Sequence, residues 1–436
     1  MVFIRLQKNQ DTINISMKLI EKYRIVSQRI ILKIGGYSRE LAVNIHEELP
    51  EDTIGVPPMQ NGLTLPEDIP YELVIDGRVL SLGPVIAFVA YLKPSELTPK
   101  RLDRLKGRFS EYQSINGIIY VCAARGIDIE KKQIEGYYYN PLGENSATRW
   151  IYGIFPYPNV VYKRHPIDTV RYNDLISQIG DRVINSYYFC KGELPDYASR
   201  NESLKEVFPE TEKFTGFEQL NLMLKKHQTV YIKPPQGEGG RGIFNVTMDV
   251  QGNYVFVNQN DIKTVISELT DLNLFLGKFI RRKYIIQQGV STTIGDRNVD
   301  FRVYMQKNGL KQWECQGMIG RVAKKDKIVT NLKYVEKLMM GLEAIKLLFG
   351  INHQEAVQIQ TKIYDKCKKV CIELDKCVGT YGDVAIDCIV DQDKNVWILE
   401  VNKRYGYDSL AKVKNYTLRR LLFVTPFRYA KALAGF

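Results

Sequence analysis

Residues 382–402 read GDVAIDCIVDQDKNVWILEVN, and this stretch decides how the rest of the chain is interpreted. Two runs rich in β-branched residues flank a polar segment, 391–395, that has the composition of a turn. Such a pattern predicts a β-hairpin. We expect the simplest register, in which Asp391 faces Val396 directly across the turn.

That register places three oxygen-bearing side chains on one face of the hairpin. Asp387 falls opposite Glu400, and Asn402 lies on the same face because side chains alternate along a strand. Two carboxylates on one patch repel each other unless a cation lies between them, and Mg²⁺ prefers oxygen ligands. The pattern therefore predicts a magnesium site, with an exposed face of scattered polar groups as the alternative. The opposite face is predicted to be core and carries Ile386, Cys388, Val390, Trp397, Leu399 and Val401.

The bulk properties describe an ordinary globular protein. A chain of 436 residues is expected to form two or three domains, and 44% hydrophobic residues exclude a disordered chain. The longest strongly apolar run, 85–92, is too short to span a bilayer, and the N-terminus lacks a secretory pattern. We therefore expect a cytoplasmic protein with no membrane partner.

Cysteine, histidine and charge narrow the function further. The seven cysteines form no CxxC pair and the four histidines lie far apart, so no zinc signature or disulfide framework is expected. A net charge of +12 favours an anionic ligand or partner. Lysine and arginine are spread along the whole chain without a nucleic-acid-binding motif, so specific nucleic acid binding is the weaker interpretation.

The order of patterns predicts three domains. Residues 1–80 are β-rich and suggest a small barrel or sandwich, whereas 81–165 follow a strand–helix–strand order typical of a small α/β domain. A continuous buried strand is predicted at 82–89 and a helix at 98–116. Residues 166–436 form the third predicted domain.

Two helices are predicted within this third domain, at 334–348 and 353–378. In the second, apolar residues recur at steps of three and four, and these include Cys367 and Cys371. The two cysteines are therefore expected to pack in a core, ahead of any redox role.

A glycine-rich loop forms the second informative stretch, 229–246, which reads TVYIKPPQGEGGRGIFNV. A predicted strand ends in Lys233, the loop covers 237–242, and a second strand follows. Glycines allow backbone N–H groups to close on an anion, and Lys233 adds positive charge. The loop is neither a Walker loop nor a Rossmann fingerprint, because it lacks GK[ST] and leads into a strand. We favour phosphate binding over a plain hairpin loop.

Further strands carry polar side chains suited to a nucleotide. The segment 284–290 (YIIQQGV) predicts a buried strand whose backbone could hold a planar base edge. Alternation places Asp300, Arg302 and Tyr304 on one face of the next strand, and Arg321 lies on the strand after it. Both arginines are either ordinary surface residues or, beside a phosphate loop, anion clamps, since guanidinium donates a rigid fork to phosphate oxygens.

In this order, the motifs resemble the ATP-grasp superfamily and, within it, the YheC/YheD group of endospore coat-associated proteins. The resemblance covers about residues 80–405. The stretches that carry it are 82–86, 233–237, 300–302, 318–321, 330–332 and 398–402. It implies an α/β protein with an ATP-grasp fold, preceded by the β-rich region and the small α/β domain.

The resemblance also implies ATP and Mg²⁺ as cofactors and assigns roles to individual residues. The nucleotide-binding residues would be Lys233, Gln236, Gly237, Gly239, Gly240, Gly242, Gln287, Gln288 and Val290. The residues facing the γ-phosphate, an acyl-phosphate or the acceptor would be Arg302, Arg321 and Asn331. The metal ligands would be Asp387, Glu400 and Asn402.

The implied activity is ATP-dependent ligation of a carboxylate to an amine or thiol through an acyl-phosphate. Expected partners are small-molecule or peptide substrates, and spore-coat proteins are candidates. Two segments, 332–336 and 403–406, depart from the family's pattern where the acceptor substrate should bind. They motivate two alternatives: a catalytically silent structural spore-coat protein, and an ATP-dependent phosphotransferase.

Overall fold

The computed structural model describes residues 1–189, 193–194, 197, 201–235, 241–325, 327, 330, 333–377 and 379–436. Strands β1 to β25 are Phe3–Leu6, Thr12–Ile15, Arg29–Ile34, Tyr37–Ile45, Thr53–Val56, Glu72–Asp76, Val79–Gly83, Val85–Tyr91, Ile118–Asp128, Gln133–Tyr139, Trp150–Pro156, Val160–Lys163, Val183–Ile184, Thr211–Lys213, Thr229–Lys233, Phe244–Met248, Tyr254–Asn258, Lys263–Ile266, Ile285–Gln288, Thr293–Ile294, Arg297–Lys307, Trp313–Ala323, Val335–Met340, Asp383–Val390 and Val396–Asn402. Helices α1 to α11 are Met17–Tyr23, Pro99–Asp103, Ser146–Arg149, Thr169–Ile179, Glu202–Lys205, Phe217–His227, Leu269–Arg281, Gly341–Phe349, His353–Cys377, Asp408–Lys412 and Tyr416–Leu433.

The first sheet is a small barrel, one of the two arrangements predicted for this region. Its strand order is β1-β5-β2-β4-β3-β7-β6, and an antiparallel bridge between Val2 and Tyr71 joins its two edges. Alternate side chains of β3, namely Ile30, Leu32 and Ile34, are buried. The period-two pattern of the sequence thus fills the barrel interior.

The second sheet has the order β11-β10-β9-β8-β12-β13, with β8 parallel to both of its neighbours. The predicted continuous strand at 82–89 is wrong, because the chain leaves the barrel at Gly83–Pro84 and begins the second sheet at Val85. The predicted helix at 98–116 is also wrong. This segment forms α2 and 3₁₀ turns at Lys106–Phe109 and Tyr112–Ser114; the first turn packs against α11, and Gly107 within it is a poor helix former.

One continuous core serves both of these sheets. It extends from Val2 to Ile184 and is completed by side chains of α11. The contributing residues of α11 and the residue after it are Phe427, Tyr429, Ala430 and Ala434. The C-terminal helix therefore packs on the units that begin the chain.

The third sheet has the order β14-β19-β15-β16-β17-β18 and is covered on one face by α6 and α7. Leu220, Leu276 and Phe279 from these helices pack with Ile232 and Ile286 from the sheet. Since side chains alternate along a strand, the residues next to Ile232 on β15 and next to Ile286 on β19 point to the opposite face of the sheet.

The fourth sheet has the order β23-β22-β21-β24-β25, with β20 paired to β21, and its helix-covered face packs against α8 and α9. Cys367 and Cys371 of α9 are fully buried in that core, as predicted. The predicted helix at 334–348 begins only at Gly341. Residues Val335–Met340 form an edge strand because pairing with β22 outweighs their local preference.

The hairpin predicted at 382–402 is formed by β24 and β25, and Asp387 pairs with Glu400 as predicted. The register at the turn is wrong by one residue, because Val390 and not Asp391 faces Val396. A bulge that leaves Leu399 unpaired restores the expected register at Asp387. As a correction to the predicted core face, Trp397 and Leu399 are partly exposed, whereas Val396, Ile398 and Val401 are buried.

Candidate nucleotide and metal site

Four charged side chains gather on the face of the fourth sheet that α8 and α9 leave free. Arg302 donates to Asp387 through Nε and Nη2, both at 2.8 Å. Arg321 donates to Asp300 through the same pair of nitrogens, both at 2.6 Å, and approaches Asp387 at 3.2 Å. Thr330 also donates its hydroxyl to Asp300. Both predicted arginines therefore lie in one ion-pair cluster.

The pKa values of the two carboxylates in the cluster, Asp387 and Asp300, shift in opposite directions. Burial opposes ionisation of Asp387, but Arg302 and Arg321 outweigh it and hold the pKa of Asp387 well below its ordinary value. Burial dominates at Asp300 and raises its pKa despite the ion pair with Arg321. Asp387 is therefore the firmly ionised carboxylate of the cluster.

The predicted metal ligands are neighbours on this face. Asp387 lies directly opposite Glu400, and the Asn402 amide donates to Asp387 Oδ2 at 3.4 Å. Among the described residues no group of three or more His, Cys, Asp or Glu side chains has metal-binding geometry. Two carboxylates and an amide oxygen nevertheless form a donor set that suits Mg²⁺, provided that the arginines turn away from Asp387.

The open face of the third sheet carries the predicted phosphate lysine. Lys233 donates to Gln287 Oε1 at 2.5 Å, and Gln287 donates to the Thr211 hydroxyl at 2.9 Å. The Lys233 ammonium also lies 5.1 Å from the centre of the Tyr231 ring. Lys233 and Gln287 are thus brought together by the pairing of β15 with β19.

The remaining nucleotide predictions are placed less directly. Gln288 is engaged with Glu210, the residue before β14: its backbone N–H donates to the Glu210 carbonyl, and its side-chain oxygen accepts from the Glu210 N–H. Val290 is almost fully buried just beyond β19. Gly242 has a positive φ of 76° and donates its backbone N–H to Gln259 at 3.1 Å. The other predicted positions, Gln236, Gly237, Gly239, Gly240 and Asn331, lie outside the described residues.

Sequence reasoning missed the roles of three residues in these contacts. Tyr231 alternates with Lys233 along β15, so the period-two pattern was enough to place its ring on the open face. Asp300 was placed on the face of Arg302, but its pairing with Arg321 depends on the register of β21 and β22. Thr211 carries no local signal, because β14 is short and distant in sequence.

A further buried carboxylate, Asp383, anchors the segment that follows the predicted metal ligands. Asp383 on β24 is fully buried and accepts hydrogen bonds from Tyr162 at 2.5 Å and Arg164 at 2.8 Å. It also accepts from Gln306 at 2.8 Å and Tyr405 at 2.5 Å. Since Tyr162 and Arg164 belong to the second sheet or lie just beyond it, the loop after Asn402 is fastened to the preceding unit.

Comparison with known families identifies the family of the part of the chain that contains the third and fourth sheets. A model of the YheC/D-like ATP-grasp family matches residues 180–433, which is more than half of the chain. The chain belongs to this family. The resemblance inferred from the motifs and the ATP-grasp fold are thereby confirmed.

Two curated relatives extend the similarity. The chain is 26% identical over 398 residues to endospore coat-associated protein YheD of Bacillus subtilis, covering 85% of this chain and 83% of YheD. It is 25% identical over 219 residues to YheC of the same organism, covering 48% of this chain and 58% of YheC.

Among solved structures, the chain is similar to the VanG D-Ala:D-Ser ligase from Enterococcus faecalis, with 11% identity and a TM-score of 0.42. That alignment covers 79% of this chain and 99% of the ligase. It is also similar to D-alanyl-alanine synthetase A from Vibrio cholerae, with 9% identity, a TM-score of 0.43, and coverage of 77% and 99%. Among the described residues, no helix has the length and apolar character needed to cross a bilayer.

Proposed function

We propose that this family member is an ATP- and Mg²⁺-dependent ligase that joins a carboxylate to an amine or thiol through an acyl-phosphate. The observation that supports it best is the shared face of Arg302, Arg321, Asp387, Glu400 and Asn402 on the fourth sheet. Phosphoryl transfer needs positioned positive charge and a cation with oxygen ligands. The two arginines would supply the charge, and Asp387, Glu400 and Asn402 would supply the oxygen ligands.

Each group has a defined task in this proposal. Lys233 would bind the α- and β-phosphates, the 237–242 loop would cover the triphosphate, and Gln287, Gln288 and Val290 would line the adenine site. Arg302 and Arg321 bind the γ-phosphate and then the acyl-phosphate, and Asn331 lies on the acceptor side.

Asp387, Glu400 and Asn402 would hold Mg²⁺, which neutralises charge on the transferred phosphoryl group when it is bound.

The ion pairs of Asp387 suggest how the site changes on binding. Arg302 holds both oxygens of Asp387, and phosphate oxygens are competing acceptors for the same guanidinium fork. Nucleotide binding would draw Arg302 and Arg321 to phosphate and release Asp387 for the metal. The arginines would thus keep the carboxylate ionised and oriented beforehand.

Calorimetry with ATP and Mg²⁺, followed by assays of ADP and phosphate release with amino acids and peptides, tests the proposal. Glu400→Gln should weaken Mg²⁺-dependent nucleotide binding about tenfold, because one ligand charge is lost. Glu343→Gln is the matched control, since Glu343 is exposed and pairs with Lys346 on the surface of α8. Absence of nucleotide binding to the wild type in the presence of Mg²⁺ would overturn the proposal.

A second candidate is a nucleotide-binding coat protein that does not ligate. It is supported by the coat association named for YheD and YheC, and by the arginines that hold Asp387. It predicts nucleotide binding without a ligated product from any substrate mixture, and a location in the spore coat. One ligated product would exclude it, whereas a phosphorylated product would identify a phosphotransferase.

We also retain the three-domain division at about residues 80 and 165 as a proposal. Limited proteolysis of the full-length protein would test it, with cleavage concentrated near these two positions as the expected outcome.

A further inference from the structure

The segment after β25 packs across the face of the fourth sheet that carries the ion-pair cluster. Tyr405 and Leu410 belong to one core group with Tyr304 of β21. Because side chains alternate along β21, Tyr304 and Arg302 project from the same face. Residues 403–418, which we call the wall, therefore lie beside Arg302 on this face.

The wall runs from one edge of this sheet to the other. It begins at the end of β25, and its Asn415 amide donates to Met340 Sδ of β23 at 3.3 Å. Met340 belongs to a cross-strand row that also contains Arg302, Asp387 and Glu400. Since neighbouring strands lie about 4.8 Å apart, the row spans about 19 Å across five strands, with Arg302 in the middle. An extended peptide beside the wall would follow this row.

More than half of the protein's net charge lies in the C-terminal segment that contains the wall. Residues 403–436 hold eight basic residues and one acidic residue, Asp408, which gives +7 of the total +12. Three cations of α11 are paired with Glu72 and Glu111 of the preceding units: Arg420, Arg428 and Lys431. The uncompensated part of this charge therefore lies mainly on the wall.

Three exposed cations of the wall form its basic rim: Arg404, Lys412 and Lys414. None of them makes an ion pair with a carboxylate in the part of the chain that the structure describes. Arg404 follows the β25 edge, whereas Lys414 adjoins Asn415 at the β23 edge, so rim cations stand on both sides of Arg302. An acidic ligand along the wall would reduce the repulsion among these like charges.

The backbone on both sides of Arg404 is held in place. The Lys403 carbonyl accepts from Asn185 Nδ2 at 3.0 Å, and the Tyr405 carbonyl accepts from Arg164 Nη2 at 2.6 Å. A fixed backbone limits the positions that the side chain between them can reach, so less conformational entropy is lost when that side chain binds a ligand. The wall therefore presents Arg404 to solvent at a defined place beside the end of β25.

We propose that the acceptor is an acidic peptide that lies extended along the wall and places its carboxylates on the basic rim. This rests on the proposed ligase function and adds the chemical class of its acceptor. An extended chain rises about 3.3 Å per residue, so about five to six residues cover the row. Arg404 and the two lysines each bind a carboxylate oxygen of the peptide.

The reacting amine of this peptide belongs to a lysine side chain. Arg302 lies in the middle of the row, with rim cations toward both ends, so the amine has acidic residues on both sides of it. Its nitrogen forms a bond to the acyl carbon of the acyl-phosphate, phosphate leaves with the electron pair of the broken C–O bond, and the amine proton passes to solvent. An oligonucleotide is also anionic but has no aliphatic amine.

The competing explanation is a solvated basic surface, which raises solubility without binding a particular partner. Such a surface attracts anions through the total charge of the protein, so removing three charges elsewhere would have the same effect as removing them from the rim. A docking site depends instead on where the charges lie.

The test uses the full-length protein and two labelled five-residue peptides with a central lysine, flanked by glutamates in one and by glutamines in the other. Fluorescence anisotropy, with and without Mg²⁺ and a non-hydrolysable ATP analogue, should show the acidic peptide binding at least about tenfold tighter at low salt, because each exposed ion pair adds about two- to threefold. The preference should shrink in about 0.5 M salt, which screens exposed charges. Equal affinities for the two peptides at low salt would overturn the inference.

A triple variant of the rim, Arg404→Gln/Lys412→Gln/Lys414→Gln, should abolish the preference for the acidic peptide. All three side chains are exposed, so the midpoint of thermal unfolding should stay close to that of the wild type. A full preference in this variant would refute the inference.

The matched control is Arg5→Gln/Lys100→Gln/Lys131→Gln. It removes one arginine and two lysines from exposed positions of the preceding units and should retain the full preference. An equal loss of preference in the two triple variants would overturn the inference in favour of a nonspecific basic surface.

A hexathymidylate serves as the other anionic polymer. If it binds the wild type more tightly than the acidic peptide does, and loses that affinity in the rim variant, the peptide class is overturned.

Failure of the inference remains distinguishable from failure of the proposed function. ATP binding without a preference for the acidic peptide would contradict only the class of acceptor. A preference that depends on the rim, in a protein that binds no ATP, would contradict only the ligase.

Discussion

Asp383 and Asp387 lie on the same face of β24, yet they are held in opposite ways. Asp383 accepts hydrogen bonds from both hydroxyl and amide donors and one arginine, and its partners come from three separate parts of the chain. Asp387 is held chiefly by guanidinium groups from β21 and β22 of its own sheet. One carboxylate therefore joins units of the protein, whereas the other is paired with groups that a phosphate can attract.

One strand, β24, thus carries a carboxylate with a structural role, Asp383, and a carboxylate whose arginine partners can also bind phosphate, Asp387. Removing the charge at Asp383 leaves its buried partners without an acceptor, so the change should lower the free energy of unfolding. Removing it at Asp387 leaves Arg321 paired with Asp300, so part of the cluster survives. The predictions below test this contrast from its largest expected effect to its smallest.

Asp383→Asn should lower the free energy of unfolding by about 3–5 kcal/mol, because the buried Arg164 loses its counter-charge. Urea denaturation measures this change. Asp393→Asn in the exposed turn of the same hairpin is the control and should be neutral within about 0.5 kcal/mol. A loss of less than about 1 kcal/mol would show that the buried network is not a structural anchor.

Asp387→Asn should lower the free energy of unfolding by about 2 kcal/mol at pH 7, since charge-assisted hydrogen bonds to Arg302 are lost. The pKa of Asp387 is depressed in the folded state, so its contribution is present above the unfolded pKa and is lost as pH falls through the folded one. The difference between wild type and variant should therefore be constant from pH 7 to pH 5 and shrink below about pH 4. A difference that grew on acidification would contradict this assignment.

Lys163, which precedes the Asp383 partner Arg164, provides a test in alkaline solution. Burial lowers its pKa to about 8, and its ammonium donates to the Ser186 carbonyl. The unfolded chain then binds more protons above this pH, so stability relative to Lys163→Met should rise by about 1.4 kcal/mol between pH 8.5 and 9.5. Denaturation of both proteins across this range, with exposed Lys100→Met as the control, measures the difference. A flat difference would show that Lys163 is solvated.

Tyr405→Phe should have the smallest effect, a loss of about 1 kcal/mol in the free energy of unfolding, because one hydrogen bond to Asp383 is removed while the ring remains. Thermal and urea denaturation would both detect it. Combining it with Asp383→Asn should add little further loss, since both changes remove the same contact. Full additivity would indicate that Tyr405 acts elsewhere.

Local patterns predicted one end of β24 but not the other. The pairing of Asp387 with Glu400 was predicted correctly although the turn register was wrong, because the bulge at Leu399 compensated for the error. Asp383 looked like the polar start of an apolar run, and its partners Tyr162 and Arg164 are far away in sequence. Such a network depends on tertiary contacts that no strand period reports. The strand Val335–Met340 was missed for a related reason, since it forms at the edge of the sheet by pairing with β22, which is distant from it in the local pattern.

The position of α11 has a consequence for synthesis of the chain. Phe427 and Tyr429 belong to the core of the first two sheets, and the Phe436 ring lies against Gly83. The ribosome makes α11 long after β1 to β13, so the barrel and the second sheet have an open apolar face until α11 has been made. During that interval the nascent chain exposes a surface that chaperones bind and that promotes aggregation. Completion of the core of the first two sheets therefore depends on a helix that is made much later in translation.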